Sequence, residues 1–307
     1  MNYSVCKNKI IVECKEFSPQ EILECGQIFS YRKIGQFYFV YPGDKLAVLY
    51  FENGKNVIEI LSGDVEFFVK FFDLETDYKK IQNDILQMDF EGFNKNIIKK
   101  ALTFGNGIRI LKQEVFETLI SFIFSANNNI KRFTNSLETL RRENGKEIIP
   151  AKNEVSEICD ILKKEKFYSF PTQNDLQKLE ESYFKKIGAG YRAPYLVSTI
   201  NKFESVLKGE YSTEELLKNL TNYKGVGRKV GECVLLFSLN RLDVFPVDTW
   251  IEKIYFEMAD CDKISREKIS KNLVKKFGNL SGYIQQYLFY FKREQKNNMV
   301  NLHKKSF

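Results

Sequence analysis

The periodicity of the chain changes once, near Asp64, and this change constrains the fold more than any other feature. Upstream, apolar residues come in short β-branched and aromatic runs: Ile10-Ile11-Val12, Phe37-Tyr38-Phe39-Val40-Tyr41, Leu46–Phe51 and Val57–Leu61. Downstream they recur at i, i+3 and i+4, as in Val115–Phe124, Leu196–Leu207, Val230–Phe237 and Ile284–Phe291. Strands that all precede the helices have no crossover helices to make them parallel. The sequence therefore predicts an α+β fold, with an N-terminal antiparallel β-sheet domain followed by all-helical structure. Asn53-Gly54 between two strand-like runs predicts a tight hairpin, because both residues tolerate positive φ. Breaks at Gly105-Asn106-Gly107, Gly145, Phe170-Pro171, Gly188–Gly190, Lys224–Gly227 and Phe245-Pro246 suit helices of about 10–18 residues. We divide the chain into residues 1–110, the sheet with its following helices, and 111–307, the helical domain. Lys292–Phe307 reads as a frayed basic tail.

A chain of 307 residues holds about two domains. Its 43% hydrophobic and 28% charged residues belong to a folded protein and exclude disordered or collagen-like classes. The single histidine, His303, leaves Ser-His-Asp triads, multi-histidine zinc sites and histidine acid–base catalysis without their residues. Any catalyst is then Lys, Asp, Glu, Cys or Tyr. The six cysteines include no CxxC pair, which argues for reduced thiols, and no metal, iron–sulfur cluster or other cofactor is expected. With 47 basic against 40 acidic residues, the net charge of +7 permits an anionic partner such as nucleic acid. Met1–Lys7 is too polar for a signal sequence and Leu119–Phe124 too short to span a membrane, so a cytoplasmic protein with no membrane partner is expected.

The stretch Leu220–Val234, LTNYKGVGRKVGECV, reads as a helix, a four-residue turn and a second helix. Gly225 and Gly227 flank Val226, so the backbone can turn tightly and bring bare N–H groups to the second helix's N-terminus, where the dipole favours a phosphate. Gly225, Val226, Gly227 and Arg228 are thus candidate contacts to a DNA backbone, although the same pattern serves any tight interhelical turn. Nineteen residues after Lys229, the run Val244-Phe245-Pro246-Val247 leads into Asp248 at the start of another helix. The positive end of a helix dipole disfavours an ammonium at Lys229 and favours an amine able to act as a nucleophile. Asp248 suits a helix N-cap, and a capping carboxylate is also placed to stabilise positive charge in a transition state.

These motifs resemble the helix-hairpin-helix DNA glycosylases, and among them the 8-oxoguanine DNA glycosylases. The G-V-G-x-K turn with its downstream P-V-D carries the likeness to the superfamily. Ser125-Ala126-Asn127-Asn128-Asn129-Ile130, Gly282–Phe289, Cys25-Gly26-Gln27-Ile28-Phe29 and Gly188-Ala189-Gly190-Tyr191-Arg192-Ala193 select the member. The resemblance implies two helical subdomains after the sheet, with the active site in the cleft between them. It implies excision of flipped 8-oxoguanine from duplex DNA through a Schiff base at Lys229, assisted by Asp248, with AP-lyase strand cleavage. Cys233, one turn after Lys229, is then expected to pack on the base, a thiolate paired with the lysine ammonium being one form it can take. Gln285 and Phe289, an i, i+4 pair, would read and stack on the base, and the Gly26 carbonyl would accept the lesion's N7–H, which guanine lacks.

Asn127 and Arg132 match the family's contacts to the orphaned base, and their donors suit cytosine, so the implied partner is duplex DNA with 8-oxoguanine opposite cytosine, bound by a monomer. Phe167 stands where a wedge tyrosine is expected, and Trp250 replaces a phosphate-contacting histidine. Two alternatives remain at this level. One is a related glycosylase for an oxidised pyrimidine or alkylated purine, disfavoured because only Cys261 follows the P-V-D segment and because Lys229 is present. The other is a non-catalytic helix-hairpin-helix DNA-binding protein, which would have no need of Lys229 with Asp248.

Overall fold

The computed structural model describes residues 3–151, 153–204, 211–259 and 261–304, with backbone only from 297 onward. Six strands form one antiparallel sheet: β1 (Tyr3–Cys6), β2 (Lys9–Val12), β3 (Tyr31–Ile34), β4 (Phe37–Val40), β5 (Leu46–Glu52) and β6 (Lys55–Ser62). Their order is β1-β2-β6-β5-β4-β3. The four apolar runs read from the sequence supply β2, β4, β5 and β6, and Asn53 and Gly54 take φ of 50° and 80° at the β5–β6 turn. The two edge strands β1 and β3 were not foreseen. Both are largely solvent-facing and β3 carries Arg32 and Lys33, the composition that protects a sheet edge and hides it from an apolar pattern.

Both faces of the sheet are covered, which is why β4 reads Phe-Tyr-Phe-Val without alternation. Tyr38, Val40, Leu49 and Ile58 pack on one face with Ile22, Leu23, Phe68 and Phe71 from the helices Pro19–Glu24 and Val65–Phe71. Phe37, Phe39, Tyr41 and Val48 pack on the other with Ile148, Ile158 and Phe167.

The larger core lies in the helices. It joins Val115–Ser125, Arg228–Leu239, Thr249–Met258 and Ser281–Lys304, and it also takes in Tyr78, Ile85, Ile98 and Leu102 from the helices Tyr78–Gln87 and Lys95–Phe104. Packing therefore does not divide at residue 110, because those two helices share the core of the later chain. The last helix runs on through residues 292–304, so the basic segment up to Lys304 is helical rather than frayed, and Phe104 packs on Tyr290 and Phe291 beside it. The side chain of His303 lies outside the described residues. The helix expected over Leu196–Leu207 spans Ala193–Lys202, and residues 205–207 lie outside the described residues. Buried Glu117 ties sheet to helices: it accepts from Ser30 Oγ at 2.6 Å and Gly43 N at 2.8 Å and pairs with Arg141.

Candidate active site

The hairpin forms as expected from Thr213–Thr221 and Arg228–Leu239. Gly225 sits at φ +80°, and a Cβ there would lie 2.6 Å from the Tyr195 ring, so both conformation and space call for glycine. Val226 is buried beneath the turn, which leaves Gly227 as an N-cap with no side-chain bond and the first-turn N–H groups open at the surface. Arg228 does not share this direction. Its guanidinium turns back to Glu232, Nε to Oε1 at 2.8 Å, so of the expected backbone contacts Arg228 offers its N–H rather than its charge.

Lys229 is the second residue of that helix, and its Nζ stands 5.0 Å over the Phe122 ring. Asp248 caps the helix Thr249–Met258 through Oδ1, which accepts from the amides of Trp250 and Ile251 at 2.9 Å each. Cys233 follows one turn after Lys229. Burial pushes its thiol up to about 11, against the opposing charge of Lys229, so near neutral pH it is a thiol and not the thiolate of an ion pair. Gln285 donates Nε2 to the Pro246 carbonyl at 3.2 Å, while its Oε1 is buried with no partner. Gly26, at φ +85°, completes the ring: a Cβ there would meet Phe289 Cε1 at 3.2 Å and Arg293 Nη1 at 3.0 Å.

All these groups line one narrow slot closed off by Phe122, Phe237, Pro246 and Gln286. Its free volume of about 20 Å³ holds little more than one water, so a purine base enters only if Phe289 and its neighbours shift. The slot opens into a cleft of about 1060 Å³, lined by Lys229 and Arg132, by Arg266 and Arg293, which pair with Glu252 and Glu294, and by the carboxylate of Asp248. Such a balance favours a polyanion.

Across the cleft, Asn127 is exposed in left-handed backbone at φ 47°, Asn129 caps the helix Ile130–Asn144, and Arg132 is exposed in its first turn. Arg192, 6% exposed, holds this loop: Nε and Nη2 donate to the carbonyls of Ala126 and Asn127, both at 2.6 Å. Its guanidinium also lies 4.3 Å from the ring of Tyr191, which is 55% exposed.

Residues 9–119 match the family described as 8-oxoguanine DNA glycosylase, N-terminal domain. The N-glycosylase/DNA lyase of Saccharomyces cerevisiae is 30% identical over 72% of this chain, although the alignment spans only 64% of the yeast protein. The 8-oxoguanine glycosylase/lyase of Clostridium acetobutylicum, solved with double-stranded DNA containing cytosine opposite 8-oxoguanine, is 30% identical, covers 96% of this chain and 100% of its own, and superposes with a TM-score of 0.80. The chain belongs to the 8-oxoguanine DNA glycosylase family. A structure of MBOgg1 with a low-affinity DNA ligand is likewise 30% identical over 96% of this chain and 99% of that one, with a TM-score of 0.83.

In this member of the family, one expected position fails. Phe167 is 2% exposed in the core under the sheet, stacked on Phe39 at 5.0 Å and covered by the Arg32 guanidinium at 4.2 Å, so it cannot wedge into DNA. The exposed ring beside the asparagine loop is Tyr191. Its sequence signal was the pair of glycines before it, Gly188 and Gly190, both at positive φ, which carry the chain to the loop. Trp250 lines the cleft as expected from its place, with Nζ of Lys253 and Lys296 at 5.2 and 5.4 Å from its ring.

Proposed function

We propose that this protein excises 8-oxoguanine from duplex DNA, preferentially opposite cytosine, and then cleaves the strand by β-elimination. It works as a monomer, since one chain supplies every group around the slot. The observation that carries this reading is the unpartnered Oε1 of Gln285 in a slot that also holds Lys229, Asp248 and the Gly26 turn. A buried acceptor without a donor costs about 1–3 kcal/mol. A guanine-type Watson–Crick edge brings N1–H and the 2-amino group to it, whereas a thymine-type edge brings only one donor, flanked by two carbonyls.

The chemistry follows from the same groups. The Lys229 amine attacks C1′ as the C1′–N9 bond breaks and the base leaves with that bond's electron pair. Asp248, its Oδ1 fixed by two amide donors, faces the positive charge that grows on the sugar. Loss of a proton from nitrogen and opening of the sugar ring give the imine, and removal of a C2′ proton then expels the 3′-phosphate. Cys233, as a neutral thiol, packs against the base without competing for the lysine proton. Phe289 stacks on the base, and the Gly26 carbonyl accepts its N7–H. Across the cleft, Asn127 and Arg132 supply donors to the O2 and N3 of the orphaned cytosine, with Tyr191 as the exposed ring beside them. The hairpin's open N–H groups take a phosphate.

Borohydride trapping on duplexes containing 8-oxoguanine tests the central step. The wild type should form a covalent adduct and Lys229→Gln none. An adduct that survives the substitution, or equal trapping on thymine-glycol duplexes, would overturn the assignment.

A further inference from the structure

The excision chemistry leaves two buried polar side chains beside the slot without a task. In the helix Ser281–Lys304, Gln286, Phe289 and Arg293 fall at i, i+3 and i+7, one stripe facing the segment Glu24–Gly26. Gln286, 1% exposed, donates Nε2 to the carbonyl of Cys25 at 3.0 Å. Arg293, 8% exposed, donates Nη2 to the carbonyl of Glu24, and its guanidinium lies 5.5 Å from the Phe289 ring centre. Beyond the glycine, Gln27 is held from the opposite side. Its amide donates to the carbonyls of Ile22 and Arg109 at 2.9 and 2.7 Å and accepts from Leu111 N at 2.8 Å. The Gly26 turn is therefore clamped at both ends.

Stability alone does not ask for this arrangement, because a guanidinium is costly to bury even when paired, as Arg293 is with Glu294 at 2.9 Å, and apolar packing would serve as well. Geometry does ask for it. Glycine is the residue with the most backbone freedom, and a carbonyl beside it swings unless its neighbours are fixed. We propose that Gln286 and Arg293 are positioning residues that fix the direction of the Gly26 carbonyl and thereby set the discrimination between the lesion and guanine. This rests on the reading of the slot as the 8-oxoguanine site. A carbonyl attracts the lesion's N7–H and repels guanine's N7 lone pair only while it points along the approach, since hydrogen bonds weaken steeply off axis. Releasing it weakens the attraction and the repulsion together.

The test uses the full chain carrying Lys229→Gln, so that equilibrium affinity reads recognition without excision. Duplexes with 8-oxoguanine, guanine or the abasic analogue tetrahydrofuran opposite cytosine are titrated, with and without Arg293→Met, Arg293→Lys or Gln286→Met. Each added substitution should lower the ratio of 8-oxoguanine to guanine affinity about tenfold, the worth of one well-aligned hydrogen bond, and leave tetrahydrofuran affinity unchanged. Arg293→Lys should behave like Arg293→Met, because an ammonium keeps the charge but loses the planar fork. An unchanged ratio in all three variants overturns the inference while leaving the substrate reading in place. Equal weakening for every duplex, tetrahydrofuran included, also overturns it and assigns the pair a plain structural role. If Lys229→Gln alone does not prefer 8-oxoguanine to guanine, the substrate reading falls and takes this inference with it.

Discussion

The two walls of the cleft are built in different ways. On one wall the groups around the slot are half-buried or buried and held in place: Asp248 by two amides, Gln285 by the Pro246 carbonyl, Gly26 between Gln286, Arg293 and Gln27. On the other, Asn127 and Arg132 are exposed and Tyr191 projects beside them, and what is fixed is the backbone of their loop, through Arg192. The contrast follows from the work assigned to each. Stabilising charge in a transition state rewards dipoles that are already oriented, whereas an orphaned base becomes available only after its partner has left the duplex. The lesson is that excision rate and opposite-base preference reside on separate walls, and residues without shared contacts should be separable by mutation.

The largest expected effect is on the fixed wall. Asp248→Asn should slow single-turnover excision by about 10²–10³, the scale for removing one oriented electrostatic group. Asparagine is as good an N-cap as aspartate, so thermal stability and affinity for tetrahydrofuran DNA should not change. A fall in melting temperature or affinity matching the fall in rate would show that Asp248 is only a cap, and the contrast between the walls would lose its chemical half.

Next in size is the exposed wall. Arginine only donates, and cytosine offers it two adjacent acceptors, N3 and O2, where adenine offers N1 beside a C2–H. Arg132→Ala should therefore narrow the preference for cytosine over adenine opposite the lesion by about tenfold, consistent with ~1–3 kcal/mol for a mispaired polar contact. Excision opposite cytosine should remain within a few-fold of wild type. Phe167→Leu serves as the control: it should cost about 1 kcal/mol of stability as a core substitution and leave the cytosine-to-adenine ratio untouched. A ratio that responds to Phe167 and not to Arg132 would return the wedge to its sequence-expected place.

What the sequence disclosed and what it withheld divide along physical lines. The placement of Gly225, Asp248 and the Gln285/Phe289 pair was legible because it follows from local geometry: a left-handed turn, a helix start, and one face of a helix. Phe167 was misplaced because its side chain packs across the sheet on Phe39, more than a hundred residues away, and no local pattern records that. The direction of the Arg228 guanidinium and the neutral state of Cys233 were likewise set by tertiary surroundings, the first by Glu232 and the second by burial. Arg192 stood within a recognised segment, yet its bonds to the Ala126 and Asn127 carbonyls appear only once that segment is folded against the loop.

The smallest effect expected on either wall comes from behind the fixed one. Glu232 neighbours Cys233 on the hairpin helix, is 2% exposed, and takes bonds from Arg228 Nε and Ser270 Oγ, both at 2.8 Å to the same oxygen. Burial raises its carboxyl to about 7, and Arg228 and the two hydrogen bonds oppose this without cancelling it. An unfolded glutamate loses its proton near pH 4.3, so between roughly pH 4.3 and 7 the folded state holds a proton that the unfolded state has released. Stability from this group is thus fully present at the acid end of that window, falls as pH rises through it, and levels off above. Glu232→Gln, which imitates the protonated form, should match the wild type in denaturant titrations near pH 4 and exceed it at pH 8 by up to about 3 kcal/mol. Neither the excision rate nor the opposite-base ratio at a fixed pH should move, because Glu232 faces a cavity on the far side of its helix, with Arg228, Ser212 and Lys271. Should the wild type gain stability relative to the variant as pH rises, Arg228 would outweigh burial, and the helix that carries Lys229 would be held from behind by an ion pair instead of a neutral hydrogen bond.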